Sequence, residues 1–194
     1  GAFFEKEGAL RDMVQNHMTQ LLTLVAMEPP ASLSADNIRN EKVKVLDCLR
    51  PFNKNTIRDN VVRGHYSSGY NQGEQVKGYK EEDNVSDDST METFVALKTY
   101  IDNWRWSGTP FYLRTGKRLP KRGSEIAITF KDIPNILYQK QSHRLDPNVL
   151  VIRIQPDEGI SLKMNCKIPG QSTAIQPVKM NFSYGDYFGL MPPE

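Results

Sequence analysis

The sequence predicts an α+β domain, with N-terminal helices packed on a large, mainly antiparallel sheet. Two observations carry this. Apolar residues recur at helical spacing at Leu10, Met13, Val14, Leu21, Leu24 and Val25, and again at Ile38, Val45, Leu46 and Leu49. From Thr93 the pattern changes to period two and is kept through a series of segments separated by Gly, Pro or Asn turns. Helices first and strands afterwards is the order of an α+β domain.

The first helix is expected from about Gly8 to Met27, stopped by Pro29-Pro30, because proline lacks the N–H and clashes with the preceding turn. It is apolar around most of its circumference and so is expected to be buried. Asp12, Gln15, Asn16, His17, Thr19 and Gln20 crowd its middle, and buried polar groups need partners, so a polar cavity, ligand or network is implied. Ser34 or Asp36 can cap a second helix to about Leu49, closed by Pro51. Val61 to Tyr66 reads as a short strand leading into a Gly/Ser/Asn stretch, Ser67 to Gly73. His65 reads as structural or exposed. Lys80 to Ser89, rich in Asp and Glu without apolar periodicity, reads as a solvated loop; a calcium loop would need the turn glycine and bidentate glutamate missing here. The strand-like segments are Phe94–Ile101, Phe111–Leu113, Ile126–Phe130, Val149–Ile154, Ile160–Met164 and Val178–Tyr184.

The 194 residues, 38% hydrophobic and 25% charged, suffice for one sizeable core. No apolar run approaches the ~18 residues of a membrane span, and no secretory signal pattern opens the chain. Cys48 and Cys166 make neither a disulfide framework nor a metal set, so reduced thiols, a cytoplasmic protein and no metal are expected. The net charge of +2 decides nothing about anionic ligands.

Two places carry candidate chemistry. His17 stands alone on its helix, and both a satisfied core histidine and a proton acceptor with a pKa near ~6.5 fit it. Arg114, Lys117, Arg118, Lys121 and Arg122 put five cations in nine residues with no acid among them. A solvated turn and an anion or sugar-phosphate site both fit that loop, since ammonium and guanidinium groups match phosphate oxygens. A nucleic-acid reading is weakest, as there is no further basic stripe, and Trp104, Arg105 and Trp106 read as sheet packing.

The string Phe3-Phe4-Glu5-Lys6-Glu7-Gly8, followed by Arg11-Asp12-Met13-Val14-Gln15-Asn16-His17, closely resembles the glucose-6-phosphate dehydrogenase family. The resemblance continues through Ser34 to Leu46, Val62-Arg63-Gly64, Thr90 to Ala96, Asp102 to Trp106, Arg114-Thr115-Gly116-Lys117 and Val151 to Pro156. It implies that His17 is the general base and that Asp12, Lys117, Arg122 and Gln155 contact the sugar phosphate. It further implies glucose 6-phosphate as substrate, NADP as hydride acceptor, and a homodimer or dimer of dimers built on one face of the sheet. The implied reaction yields 6-phosphoglucono-1,5-lactone, the first step of the oxidative pentose phosphate pathway. Neither nucleic acid nor membrane is an expected partner.

The family's Gly-rich nucleotide-binding turn and its aspartate-histidine-tyrosine-leucine-glycine-lysine run are not among these residues. Residues 1–194 are therefore expected to be the central part of the second domain, without the Rossmann domain, and inactive alone. The alternative function is a structural and oligomerisation module without turnover. Some relatives hold a structural NADP, and Arg114, Arg153 and Lys163 match its basic residues. Gly123, Ala127, Ser161 and Asn181 replace that site's lysine, arginine, tyrosine and aspartate, so no tight structural NADP is expected.

Overall fold

A computed structural model describes residues 2–71, 73–132, 145–170 and 174–189. Met191 to Glu194 lie outside the described residues. So does Gln72 of the Gly/Ser/Asn stretch. Two compact units are present, residues 1–120 and 121–194.

The first unit begins with α1 (Ala2–Ala9), a π-helical segment (Leu10–Met18) and α2 (Thr19–Ala26). Helix α3 (Ala35–Asp47) comes next, and the Ser34 hydroxyl caps it by accepting from the Asn37 N–H at 3.4 Å. A short helix α4 (Ile57–Asn60) leads into strand β1 (Val61–Gly64). The hairpin β2 (Gly69–Asn71) and β3 (Glu74–Val76) is next in the chain, then β4 (Phe94–Tyr100) and β5 (Pro110–Gly116). Strands β1, β4 and β5 make an antiparallel sheet with β4 in the middle.

Strand β4 alternates as period two requires. Val95, Leu97 and Thr99 are buried, as is Ile101 just beyond, while Phe94, Ala96, Lys98 and Tyr100 are half-exposed. The buried row meets Ala9, Val14, Leu22, Ala26 and Val45 from the helices and Leu113 from β5. Full burial of Val95 and Ile101 contributes about 1.5–3 kcal/mol each. Trp106 closes one end, its indole N–H donating to the Ala26 carbonyl at 2.9 Å and its ring set edge-on to Phe111.

The second unit contains β6 (Ser124–Thr129), β7 (Val149–Gln155), β8 (Gly159–Lys167), β9 (Ile175–Ser183) and α5 (Tyr184–Phe188). Its four strands pair antiparallel in chain order. The register lines up Ile126, Ile152, Ile160 and Phe182 across one face, with Ile128, Leu150, Leu162 and Met180 beside them. That face is wholly apolar at those positions, and Tyr187 of α5 stacks on Phe182 at 5.2 Å.

The α+β class and the antiparallel pairing are as the sequence implied. Among the described residues the strands are divided between sheets of three, two and four strands. The first helix differs most from expectation. It is amphipathic rather than buried: Gln15, Asn16, His17 and Gln20 are exposed, and so are Leu10 and Leu24. One stripe, Ala9, Val14, Leu22 and Ala26, supplies its contact with the core, and the polar residues take the opposite side. Leu46 of α3 is likewise exposed, because Val45 takes the inward position.

Candidate functional site

The segment carrying His17 is built from a kink. Gly8 has φ +65° and ψ 174°, which breaks α1 from the π-helical segment. The positive φ calls for glycine, and a Cβ there would lie 2.6 Å from Glu92 Oε1 and 2.6 Å from Met91 Sδ, displacing both side chains. Glu92, nearly buried, satisfies the helix start. Its Oε1 accepts the Leu10 N–H at 3.0 Å and its carbonyl accepts the Ala9 N–H at 3.0 Å. Arg63 stands 3.7 Å from its other oxygen. At the far end the Thr19 hydroxyl donates to the Val14 carbonyl at 2.7 Å, five residues back, where the wider π turn leaves that oxygen reachable. The result holds His17 on the exposed face and Asp12 half-buried on the same segment. The Gln20 amide oxygen accepts from Lys42 at 2.7 Å, so that part of the polar face is satisfied by α3.

The π-helical segment packs against β5, whose last residue, Gly116, precedes Lys117. Gly116 lies under the Phe94 ring, where a Cβ would sit 2.7 Å from Phe94 Cδ2. The Lys117 N–H donates to the Thr93 carbonyl at 2.9 Å. Arg118 turns away from this line. With φ +54° it reaches Glu82 at 2.6 Å and the Lys77 carbonyl at 3.3 Å, and it covers the Tyr66 ring at 4.9 Å. Arg114 points from the sheet face opposite the helices, in register with Ala96 and Val62. Arg114 and Arg118, two of this loop's cations in the first unit, are thus directed to different places.

The acidic stretch from Lys80 to Ser89 is more than a solvated loop. Tyr79, at its start, is buried and donates to Glu5 at 2.6 Å, and Ser89 is buried at its end. Glu82 Oε1 accepts from both the Tyr66 hydroxyl and Arg118, each at 2.6 Å. Burial, then the bond to Glu82, pushes the Tyr66 phenol from 10.0 up to about 12. Tyr79 is also raised, by burial first and Glu5 second. The bond from Ser89, then that from Tyr79, holds the Glu5 carboxyl below its usual range.

These shifts set an alkaline limit. A phenol whose folded pKa is raised stabilises the fold fully below its unfolded value and loses that contribution as pH rises through the folded value. Stability should therefore fall between pH 10 and about 12. In a spectrophotometric titration, Tyr66 and Tyr79 should ionise above the ordinary tyrosine value, and Tyr66→Phe should remove one such late step. A titration in which Tyr66→Phe removes no late step would contradict this packing.

In the second unit Arg122 and Gln155 are exposed, Gln155 at the end of β7 before a cis peptide bond to Pro156. Arg153 is committed to main-chain oxygens, donating to Asp157 at 3.1 Å and Phe182 at 3.3 Å. Lys163 pairs with Asp146 at 3.1 Å. The predicted residues are thus shared between units: Asp12, His17, Arg114 and Lys117 in the first, Arg122, Arg153, Gln155 and Lys163 in the second. Of the segment read as sheet packing, Trp106 packs and Arg105 pairs with Glu28 at 3.0 Å, but Trp104 is fully exposed. His65 is exposed, and Cys48 and Cys166 are free thiols. Among the described residues no helix is long and apolar enough to cross a membrane. None of their His, Cys, Asp and Glu side chains group to hold a metal ion.

Glu92 and Glu82 were not legible as site-building residues. The only sequence signal near Glu92 was its place in the Thr90 to Ala96 block.

The pattern that defines the glucose-6-phosphate dehydrogenase C-terminal domain matches residues 1–194. The chain belongs to this family. It is 53% identical over 197 residues to glucose-6-phosphate 1-dehydrogenase of Chlamydia pneumoniae, covering 100% of this chain and 38% of that protein. The Bacillus subtilis (strain 168) enzyme is 52% identical over 192 residues, 99% of this chain and 39% of its own. A solved glucose-6-phosphate dehydrogenase in complex with its substrate glucose-6-phosphate superposes with a TM-score of 0.84 at 35% identity. The match covers 96% of this chain and 36% of that one. The Mycobacterium avium glucose-6-phosphate 1-dehydrogenase gives a TM-score of 0.79 at 36% identity, over 94% of this chain and 36% of that one. The chain spans well under half the length of the curated relatives it matches. The Gly8 to His17 string spans the kink and most of the π-helical segment, and Arg114 to Gly116 end β5.

Proposed function

We propose that this chain is the glucose 6-phosphate-binding and subunit-binding part of a glucose-6-phosphate dehydrogenase, residues 1–194 forming the central part of its C-terminal domain. The reaction is oxidation of glucose 6-phosphate to 6-phosphoglucono-1,5-lactone in the cytoplasm, with NADP as hydride acceptor, opening the oxidative pentose phosphate pathway. The carrying observation is identity of about half to enzymes of that name over essentially the whole chain. A structural neighbour solved with glucose 6-phosphate supports the substrate.

In this reading neutral His17 accepts the C1 hydroxyl proton as the C1–H bond gives up hydride and the C1–O bond becomes a carbonyl. Its exposure leaves the imidazole accessible to a sugar hydroxyl. Asp12, from the same segment, and Lys117 contact the sugar phosphate; Arg122 and Gln155, in the second unit, are assigned to the substrate by the family resemblance alone. Among the described residues all strand pairs are antiparallel.

Lys117→Ala in the intact protein should lower kcat/KM for glucose 6-phosphate by roughly 1.5–3 kcal/mol, tenfold or more, the range of a bond to a charged group. The KM for NADP should change little. Unchanged substrate kinetics with a lower melting temperature would make the loop structural.

A subunit-binding role has its own support. The apolar face of the four-stranded sheet exposes Ile160, Val178 and Met180, the composition of a patch that a second copy covers. A homodimer or dimer of dimers through this face needs roughly 1,000 Å² or more of buried area.

A further inference from the structure

We propose that Glu92 is a positioning residue for the candidate base, and that the Glu92-Thr93 dipeptide sets His17 and Lys117 on one frame. The inference rests on the reading of His17 as the base. Glu92 takes two consecutive amides at the start of the π-helical segment, Ala9 through its carbonyl and Leu10 through its side chain, both at 3.0 Å. Glu92 is only 7% exposed and its carboxylate sits where Gly8 has no side chain, so the segment can neither slide nor rotate without losing a buried bond. Thr93, 1% exposed, accepts the Lys117 N–H at 2.9 Å through its carbonyl. Its own amide donates to the Gly64 carbonyl at 2.9 Å, and its hydroxyl accepts the Tyr66 N–H at 3.1 Å. Two adjacent residues of one buried strand entry therefore hold the base-bearing segment on one side and the substrate lysine on the other. Proton transfer depends on such placement at the scale of an ångström.

Glu92→Ala in the intact protein should lower kcat about 10–100-fold with the KM for NADP unchanged, the cost of a small displacement of the base. Glu92→Gln, which still accepts the Leu10 amide, should stay within about threefold of wild type, whereas Glu92→Asp keeps the charge but falls short of that amide and should not. On a His17→Asn background, Glu92→Ala should cost no more than about twofold further, because the two act as one unit. Should the Ala variant fail to fold, the Gln and Asp variants decide. The inference is overturned if Asp outperforms Gln, if turnover of the folded Ala variant is within about twofold of wild type, or if the losses multiply on the His17→Asn background. Normal turnover of His17→Asn alone is a separate failure, that of the base assignment itself.

Discussion

Replacing His17 with Asn in the intact protein is expected to lower turnover by several orders of magnitude while glucose 6-phosphate affinity changes little. General-base removal typically costs ~10²–10⁴-fold, and more where solvent cannot substitute. Asparagine keeps a polar group of similar reach on the exposed face of the π-helical segment, so the fold has no reason to fail. His17 makes none of the buried contacts that hold the segment; those belong to Ala9, Val14 and the Glu92 cap. A loss of activity would therefore be chemical rather than structural. Near-normal turnover would remove His17 from the base role.

The second large effect concerns a structural nucleotide. The family resemblance implies that Gly123 and Ala127 replace a lysine and an arginine of that site, and each lost charge-assisted bond to phosphate is worth roughly 1.5–3 kcal/mol. A difference of ~3 kcal/mol already exceeds a hundredfold in Kd. Two of the three remaining cations already have partners. Arg153 holds the Asp157 and Phe182 carbonyls, and Lys163 pairs with Asp146. Phosphate would have to displace those partners. No tight structural NADP is expected, and calorimetry on the intact protein checks it. A second NADP equivalent of submicromolar affinity, kept when the catalytic nucleotide site is mutated, would refute this.

Local features were legible in the sequence. The Ser34 cap, the stops at proline and the period-two strands arise from chemistry within a few residues, and all have counterparts in the fold. The hairpin Gly69–Asn71 with Glu74–Val76 was hidden because its polar residues carry no apolar alternation, and only main-chain bonds define it. The exposure of Leu10, Leu24 and Leu46 was hidden because periodicity shows which residues share a face, not how wide a face the core can cover. Most of the scaffold of the candidate site was invisible for one reason. Leu10 and Glu92 are 82 residues apart, Tyr79 and Glu5 are 74 apart, and Arg118 and Glu82 are 36 apart. Polar pairs at such separations leave no trace in composition or spacing. The candidate base, Asp12 and Lys117 were reached through a family string, and the residues that hold them in place only through the structure.

The central claim is that His17 faces bound glucose 6-phosphate. The most direct test tracks the histidine ring signals of the intact protein by NMR during titration with glucose 6-phosphate. The histidine signal that is lost in His17→Asn identifies the residue. That signal should shift saturably with glucose 6-phosphate, much less with glucose, and the response should weaken in Lys117→Ala. A protein that turns over glucose 6-phosphate while the His17 signal stays unmoved through saturation would contradict the account.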